Sequence, residues 1–204
     1  LPPGLIADTG FDVLTHAVEG FTASNAGTIP DLLAQDAFRT AFACLPASYA
    51  GDRSVRLRLH MASTLAGIAF SRSGLGLCHA MAHVLGGRFH IPHGRLNAIL
   101  LPAVISGNAP AAQAKYARLA RAAGLGGSAD TVALRNLKNG LIRLRKDLGL
   151  PQTLSQAGAP PAQVWAATGE IVEAVLADPC CKTNPVPVED YLVRRVLEEV
   201  TGNF

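Results

Sequence analysis

The chain is 204 residues long, 49% apolar and only 16% charged, with a formal net charge of +3. That length suffices for one domain with a substantial core, and so few charges in a half-apolar chain exclude intrinsic disorder. No apolar run approaches the ~18 residues of a membrane span, because the longest, Leu96 to Ile105, is interrupted by Asn97 and Pro102. The small net charge nominates neither nucleic acid nor an anionic membrane as partner. Cys44, Cys78, Cys180 and Cys181 lack CxxC spacing, which fits a reducing, cytoplasmic setting rather than a disulfide scaffold. The chain opens on Leu1-Pro2-Pro3 without an initiator Met or a charged leader, and reads as an excised piece.

Apolar residues recur at helical spacing almost throughout, and no period-2 strand stands out. Asp8 and Thr9 are N-cap candidates for a helix to about Thr22, and Pro30 sits like a first-turn proline ahead of Asp31 to Tyr49. Asp52 to Phe70 is predicted as a third helix with Leu57, Met61, Leu65 and Ile68 on its apolar face. A short apolar helix, Leu77 to Leu85, follows Gly74 and Gly76 and is expected to close at Gly86 and Gly87. A further helix starts near His93 and runs towards Ile105, followed by Ala111 to Ala123, Asp130 to Leu148, Pro161 to Leu176 and Val188 to Val200. The expectation is one all-α, multi-helix bundle-like domain over 1–204, with eight to ten helices. Gly74-Leu75-Gly76 has a His where a third glycine would complete a dinucleotide fingerprint, and no strand precedes it. No phosphate cradle is therefore expected within this chain.

Four of the six histidines fall between Cys78 and His93. His79 and His83 are four apart on an otherwise apolar segment, so both rings share one helical face. His93 follows at a Pro-His-Gly turn, and Asp12 and His16 form a second pair four apart in an apolar stretch. Buried imidazoles and carboxylates cost free energy without partners, and one divalent ion would satisfy several together. Taken singly, each histidine reads as a hydrogen-bonded core residue and Asp12 as a first-turn residue favoured by the helix dipole. Spacing alone leaves both readings open. A zinc-protease helix is excluded because Ala80 stands where its glutamate is needed. The basic run Arg135, Lys138, Arg143, Arg145, Lys146 interleaves with leucines and reads as a solvated helix face. Trp165 reads as core, His60 as structural, His90 as a residue near the cleft, and Cys44 and Cys78 as small buried hydrophobes.

Thr9-Gly10-Phe11-Asp12-Val13-Leu14-Thr15-His16-Ala17-Val18-Glu19 resembles a signature of the group III, iron-containing alcohol dehydrogenases. Gly74 to His83, continuing through Pro92-His93-Gly94 to Pro102, resembles that family's second signature, and Asp178 to Pro185 its Cys-x-x-x-Asn-Pro segment. The likeness runs from about Leu1 to Gly202, and Phe89 to Arg95 looks most like the ethanolamine-utilisation type. The resemblance implies the family's dehydroquinate synthase-like helical domain. It implies a metal held by Asp12, His16, His79 and His93, with His83 beside the nicotinamide and the substrate oxygen as catalytic and cofactor-binding residue. Phe70 and Cys180 would line the substrate pocket. The family's metal is Fe²⁺, with Zn²⁺ in some members, and by affinity alone Zn²⁺ competes well for an Asp-His₃ set. NAD(P) would be bound mainly by an N-terminal domain absent from this chain.

The expected activity is metal-assisted hydride transfer between a small primary alcohol and its aldehyde, with the nicotinamide as second partner. The expected setting is a homodimer in the cytoplasm or a bacterial microcompartment. Two alternatives are a non-catalytic helical metal-binding or scaffold module, and a metal-independent reductase such as a maleylacetate reductase. The second is disfavoured because all four ligand positions carry competent ligands.

Overall fold

The computed structural model describes residues 1–202, all of them helix, turn or loop with no strand. In order the helices are α1 (Pro3–Thr22), α2 (Thr28–Tyr49), α3 (Arg56–Ser73), α4 (Leu77–Phe89), α5 (His93–Ala122), α6 (Asp130–Asp147), α7 (Pro161–Ala166), α8 (Thr168–Ala177) and α9 (Asp190–Thr201), with a 3₁₀ turn at Pro179–Thr183. Helices α1 and α5 form the centre: α1 packs on α2, α3 and α5, and α5 also on α4, α6 and α9. Burial all round α1, from Ile6 to Thr22, marks it as a core helix, whereas α9 buries one stripe, Leu192, Val193, Val196, Leu197 and Val200. Among the described residues no helix is long and apolar enough to cross a membrane.

Several boundaries differ from expectation for identifiable reasons. Helix α1 begins at Pro3, not near Asp8, so Asp12 lies mid-helix rather than in a first turn. Asp8 instead pairs with Arg95, and Thr9 Oγ1 bonds back to the Leu5 carbonyl at 2.7 Å. Helix α4 runs through Gly86 and Gly87 and stops at His90, whose left-handed backbone (φ 55°) lets its N–H reach the Gly86 carbonyl at 2.9 Å. Helix α3 buries Ala62, Ala66 and Ala69, while Leu57, Met61 and Ile68 are exposed, which overturns its expected apolar face. Small alanines let α3 approach α1 and α2 closely. The expected single helix Pro161 to Leu176 is two, interrupted at Ala167. Trp165 is only partly buried, at the margin of the core.

The two predicted helices either side of residue 106 are one 30-residue helix, α5, with Pro102 and Pro110 inside it. Proline 102 has no N–H for the carbonyl of Ala98. Arg145 supplies the missing donor: its Nη1 lies 3.0 Å from the Ala98 oxygen and 3.1 Å from that of Ile99. Arg145 is accordingly buried, which corrects its expected place on a solvated face, although Arg135, Arg143 and Lys146 do not join it. Replacing it with Met is expected to destabilise the fold by about 2 kcal/mol, because two charge-assisted bonds go and an orphaned carbonyl stays buried. Denaturant unfolding checks this, and Arg143→Met on the exposed face should change little.

Candidate metal centre

Helix α1 carries Asp12, His16 and Glu19 along one face, each one turn beyond the last. Helix α5 is held against α1 where Gly94 meets the Asp8 backbone so closely that a Cβ would collide with its carbonyl. The neighbouring Arg95 grips the Asp8 carboxylate through Nε (3.2 Å) and Nη2 (3.0 Å). This register puts His93, the first residue of α5, against Asp12. Helix α4 contributes His79 from its first turn and His83 from the next.

Three imidazole nitrogens converge on one carboxylate oxygen. From Asp12 Oδ1, His93 Nε2 lies at 3.4 Å, His79 Nε2 at 3.6 Å and His16 Nε2 at 3.8 Å. The ligand atoms of Asp12, His79 and His93 lie within 4.8 Å of one another; His16 is not in that group, and its ring is stacked between those of His79 and Phe70 at 4.5 Å from each. His79 Nδ1 is 2.6 Å from Glu19 Oε2, while its Nε2 is buried without a hydrogen-bond partner. Because a carboxylate only accepts, Nδ1 carries the proton there, so loss of the second ring proton leaves the lone pair on Nε2, facing Asp12. Asn97 Nδ2 donates to Asp12 Oδ1 at 2.8 Å and lies 3.1 Å from His93 Nε2, which accepts. One carboxylate oxygen and two imidazole nitrogens within reach of one another, with a third imidazole nitrogen 3.8 Å from the same oxygen, fit a divalent transition metal such as Fe²⁺ or Zn²⁺.

Glu19 does more than orient a ring. Its carboxylate accepts from the N–H groups of Gly76 (3.0 Å) and Cys78 (2.7 Å), the open N-terminus of α4. A Cβ at residue 76 would lie 2.8 Å from Glu19 Oε1, so only glycine fits. Asn184 Oδ1 takes the remaining Leu77 N–H at 3.1 Å and pairs with Asn108.

His83 stands outside the ligand group. Its ring stacks 5.4 Å from that of His93, and its Nδ1 is 2.9 Å from Asp178 Oδ2. Cys180 Sγ gathers with the His83 and Asp178 ligand atoms within 4.8 Å, so the expected pocket residues Phe70 and Cys180 lie on opposite flanks of the histidines. A cavity of about 460 Å³ opens on Asp12 and His16 from another side, with Arg56 and His60 on its wall and neither Phe70 nor Cys180 lining it. His60 is thus exposed on a cavity rather than structural, and His90 is the cap of α4. Spacing missed three polar residues. Glu19 was detectable as the next turn after Asp12 and His16, and Asn97 as one turn after His93. Asp178 heads the Asp178 to Pro185 segment, but nothing local signals its contact with His83.

Burial disfavours charge throughout the cluster, but the partners decide each case. Burial pushes His16 down to about 4 against the pull of Asp12. Burial also pushes His79 down, yet the Asp12 and Glu19 carboxylates on its two sides outweigh that and hold it at about 9. Asp12 is raised by burial and lowered further by His79, His93 and His16, ending well below the ordinary carboxylate range.

The profile of the Fe-containing alcohol dehydrogenase family, C-terminal, matches residues 6–201. A 1-propanol dehydrogenase of Citrobacter freundii is 42% identical over 207 residues, covering 98% of this chain and 56% of that protein. EutG of Salmonella typhimurium is 39% identical over 189 residues, 91% of this chain and 45% of the relative. The crystal structure of a 1,3-propanediol oxidoreductase superposes with a TM-score of 0.91 at 33% identity, over 97% of this chain and 52% of the other. The chain thus spans about half the length of the relatives it matches.

Glu19→Gln is expected to weaken metal binding by about 10- to 100-fold, measured by chelator competition, because the amide no longer fixes His79 as a donor. In the metal-free protein, the His79 contribution to stability is complete below its unfolded value of 6.5 and is lost as pH rises through about 9. Neutral His16 loses its contribution as pH falls from 6.5 towards about 4. Thermal unfolding without metal should therefore peak near pH 6.5, and metal should flatten the alkaline limb.

Proposed function

The chain belongs to the iron-containing alcohol dehydrogenase family, as its C-terminal domain, and from that premise we propose that it is the metal-binding catalytic half of an NAD(P)-dependent alcohol dehydrogenase acting on small primary alcohols and their aldehydes. The observation that carries this reading is the convergence of three imidazole nitrogens on Asp12 Oδ1 with His79 Nε2 buried and unpartnered. Asp12, His16, His79 and His93 would hold Fe²⁺ or Zn²⁺, and the nicotinamide would be bound mainly by the part of the protein outside this chain. When bound, the ion supplies Lewis acidity towards the alcohol or aldehyde oxygen and the nicotinamide supplies or accepts the hydride.

The chain's own residues do the rest. Glu19 and Asn97 hold the ligand rings and the Asp12 carboxylate in place, so little reorganisation is needed on binding. Phe70 and Cys180 flank the substrate. Burial, helped by Asp178, raises the Cys180 thiol to about 12, so it stays neutral and does not compete as a thiolate. His83, with Nδ1 engaged by Asp178, offers Nε2 to take the hydroxyl proton in oxidation and return it in reduction. A residue competent to bind metal at each of Asp12, His16, His79 and His93 favours this reading over a metal-independent reductase.

Full-length protein purified anaerobically is expected to carry about one Fe or Zn ion per chain and to couple 1-propanol oxidation to nicotinamide reduction. Asp12→Ala and His79→Ala should abolish both. His83→Ala should lower turnover by about 100-fold or more with metal content intact, whereas an emptied site in that variant would make His83 a ligand. A protein that holds no Fe or Zn after reconstitution would overturn the reading.

A further inference from the structure

Resting on that reading of His83, we propose that Asp178 is a positioning residue, one that fixes the tautomer and orientation of the His83 ring so that Nε2 faces the reacting oxygen. The side chain of His83 is 46% exposed, so its own helix does little to confine the ring. The tether comes from 95 residues along the chain, through the 2.9 Å contact of Nδ1 with Asp178 Oδ2. Asp178 is itself fixed: its side chain is 13% exposed and its other oxygen, Oδ1, accepts the Cys180 N–H at 2.8 Å as the cap of the 3₁₀ turn.

That turn is anchored to the entrance of α4. Thr183 Oγ1 donates to the Leu75 carbonyl at 2.6 Å, and Asn184 accepts from Leu77 N–H at 3.1 Å. His83 and its tether are therefore both referenced to the segment that carries His79. A carboxylate can only accept, so the Asp178 contact places the proton on Nδ1 and leaves Nε2 as the acceptor. On the other face the ring stacks on His93 at 5.4 Å and 19°. The two contacts together define where Nε2 points.

The test uses the full-length protein. Asp178→Asn keeps an acceptor for the Cys180 N–H but presents an amide donor to His83. Asp178→Ser keeps the cap and is too short to reach the ring. Both variants are expected to lose on the order of 10- to 100-fold in kcat for 1-propanol oxidation, with KM nearly unchanged and metal content and thermal midpoint retained. In the zinc-loaded protein, ¹⁵N–¹H spectra of the imidazoles should show His83 protonated on Nδ1 in the wild type and switched to Nε2 in Asp178→Asn. Wild-type kcat and an unswitched tautomer in Asp178→Asn, with His83→Ala impaired, would overturn this proposal and leave the proposed function standing. Undiminished turnover in His83→Ala would overturn both.

Discussion

The arrangement turns on one buried carboxylate. Glu19 is almost without solvent access, and an unpaired charge there would be prohibitive. It is stabilised because the first N–H groups of α4 point at it and the positive end of that helix lies against it. A glycine-rich turn opening a helix is the geometry by which many proteins hold phosphate. Here the protein fills that position with its own side chain, and Gly76 lacks a Cβ because the carboxylate occupies the space. The same oxygen that completes the helix end also bonds His79 Nδ1. The folding of α4 onto α1 and the aiming of His79 Nε2 are consequently one event.

Two other clamps complete the frame. Asp8, Gly94 and Arg95 fix where α5 crosses α1 and so the distance of His93 from Asp12. The Asn108–Asn184 pair, with every amide group engaged, ties the C-terminal segment to α5 and to the start of α4. Such satisfied polar networks in an apolar interior specify a single arrangement, because any slip leaves a buried group unpaired. The functional groups lie on helices and one capped turn, so their separations are set by the scaffold rather than by loops.

How much of this was legible in the sequence follows from how local each cause is. Helical periodicity identified an all-α chain, and the spacing of Asp12 with His16 and of His79 with His83 placed each pair on one face. Where two faces of a helix are both apolar, periodicity cannot choose: on α3 the alanines pack and Leu57, Met61 and Ile68 face outward. The break expected between Ile105 and Ala111 does not occur, and within the continuous α5 the carbonyl that Pro102 leaves unpaired is met by Arg145, a partner no local pattern reveals. Asp178 could be placed at the head of a motif, but its role could not be read there, since it lies in a contact with a ring 95 residues away. The candidate ligands Asp12, His16, His79 and His93 were legible because the motifs carry them. The groups that aim those ligands had to be read from the structure.

The most direct measurement is anomalous diffraction at the Fe or Zn edge from crystals of the metal-loaded protein. The account predicts a single strong peak bonded by Asp12, His16, His79 and His93, with Glu19 still on His79 Nδ1 and His83 still on Asp178. A peak instead among His83, Asp178 and Cys180, or a coordination shell that includes His83, would contradict it.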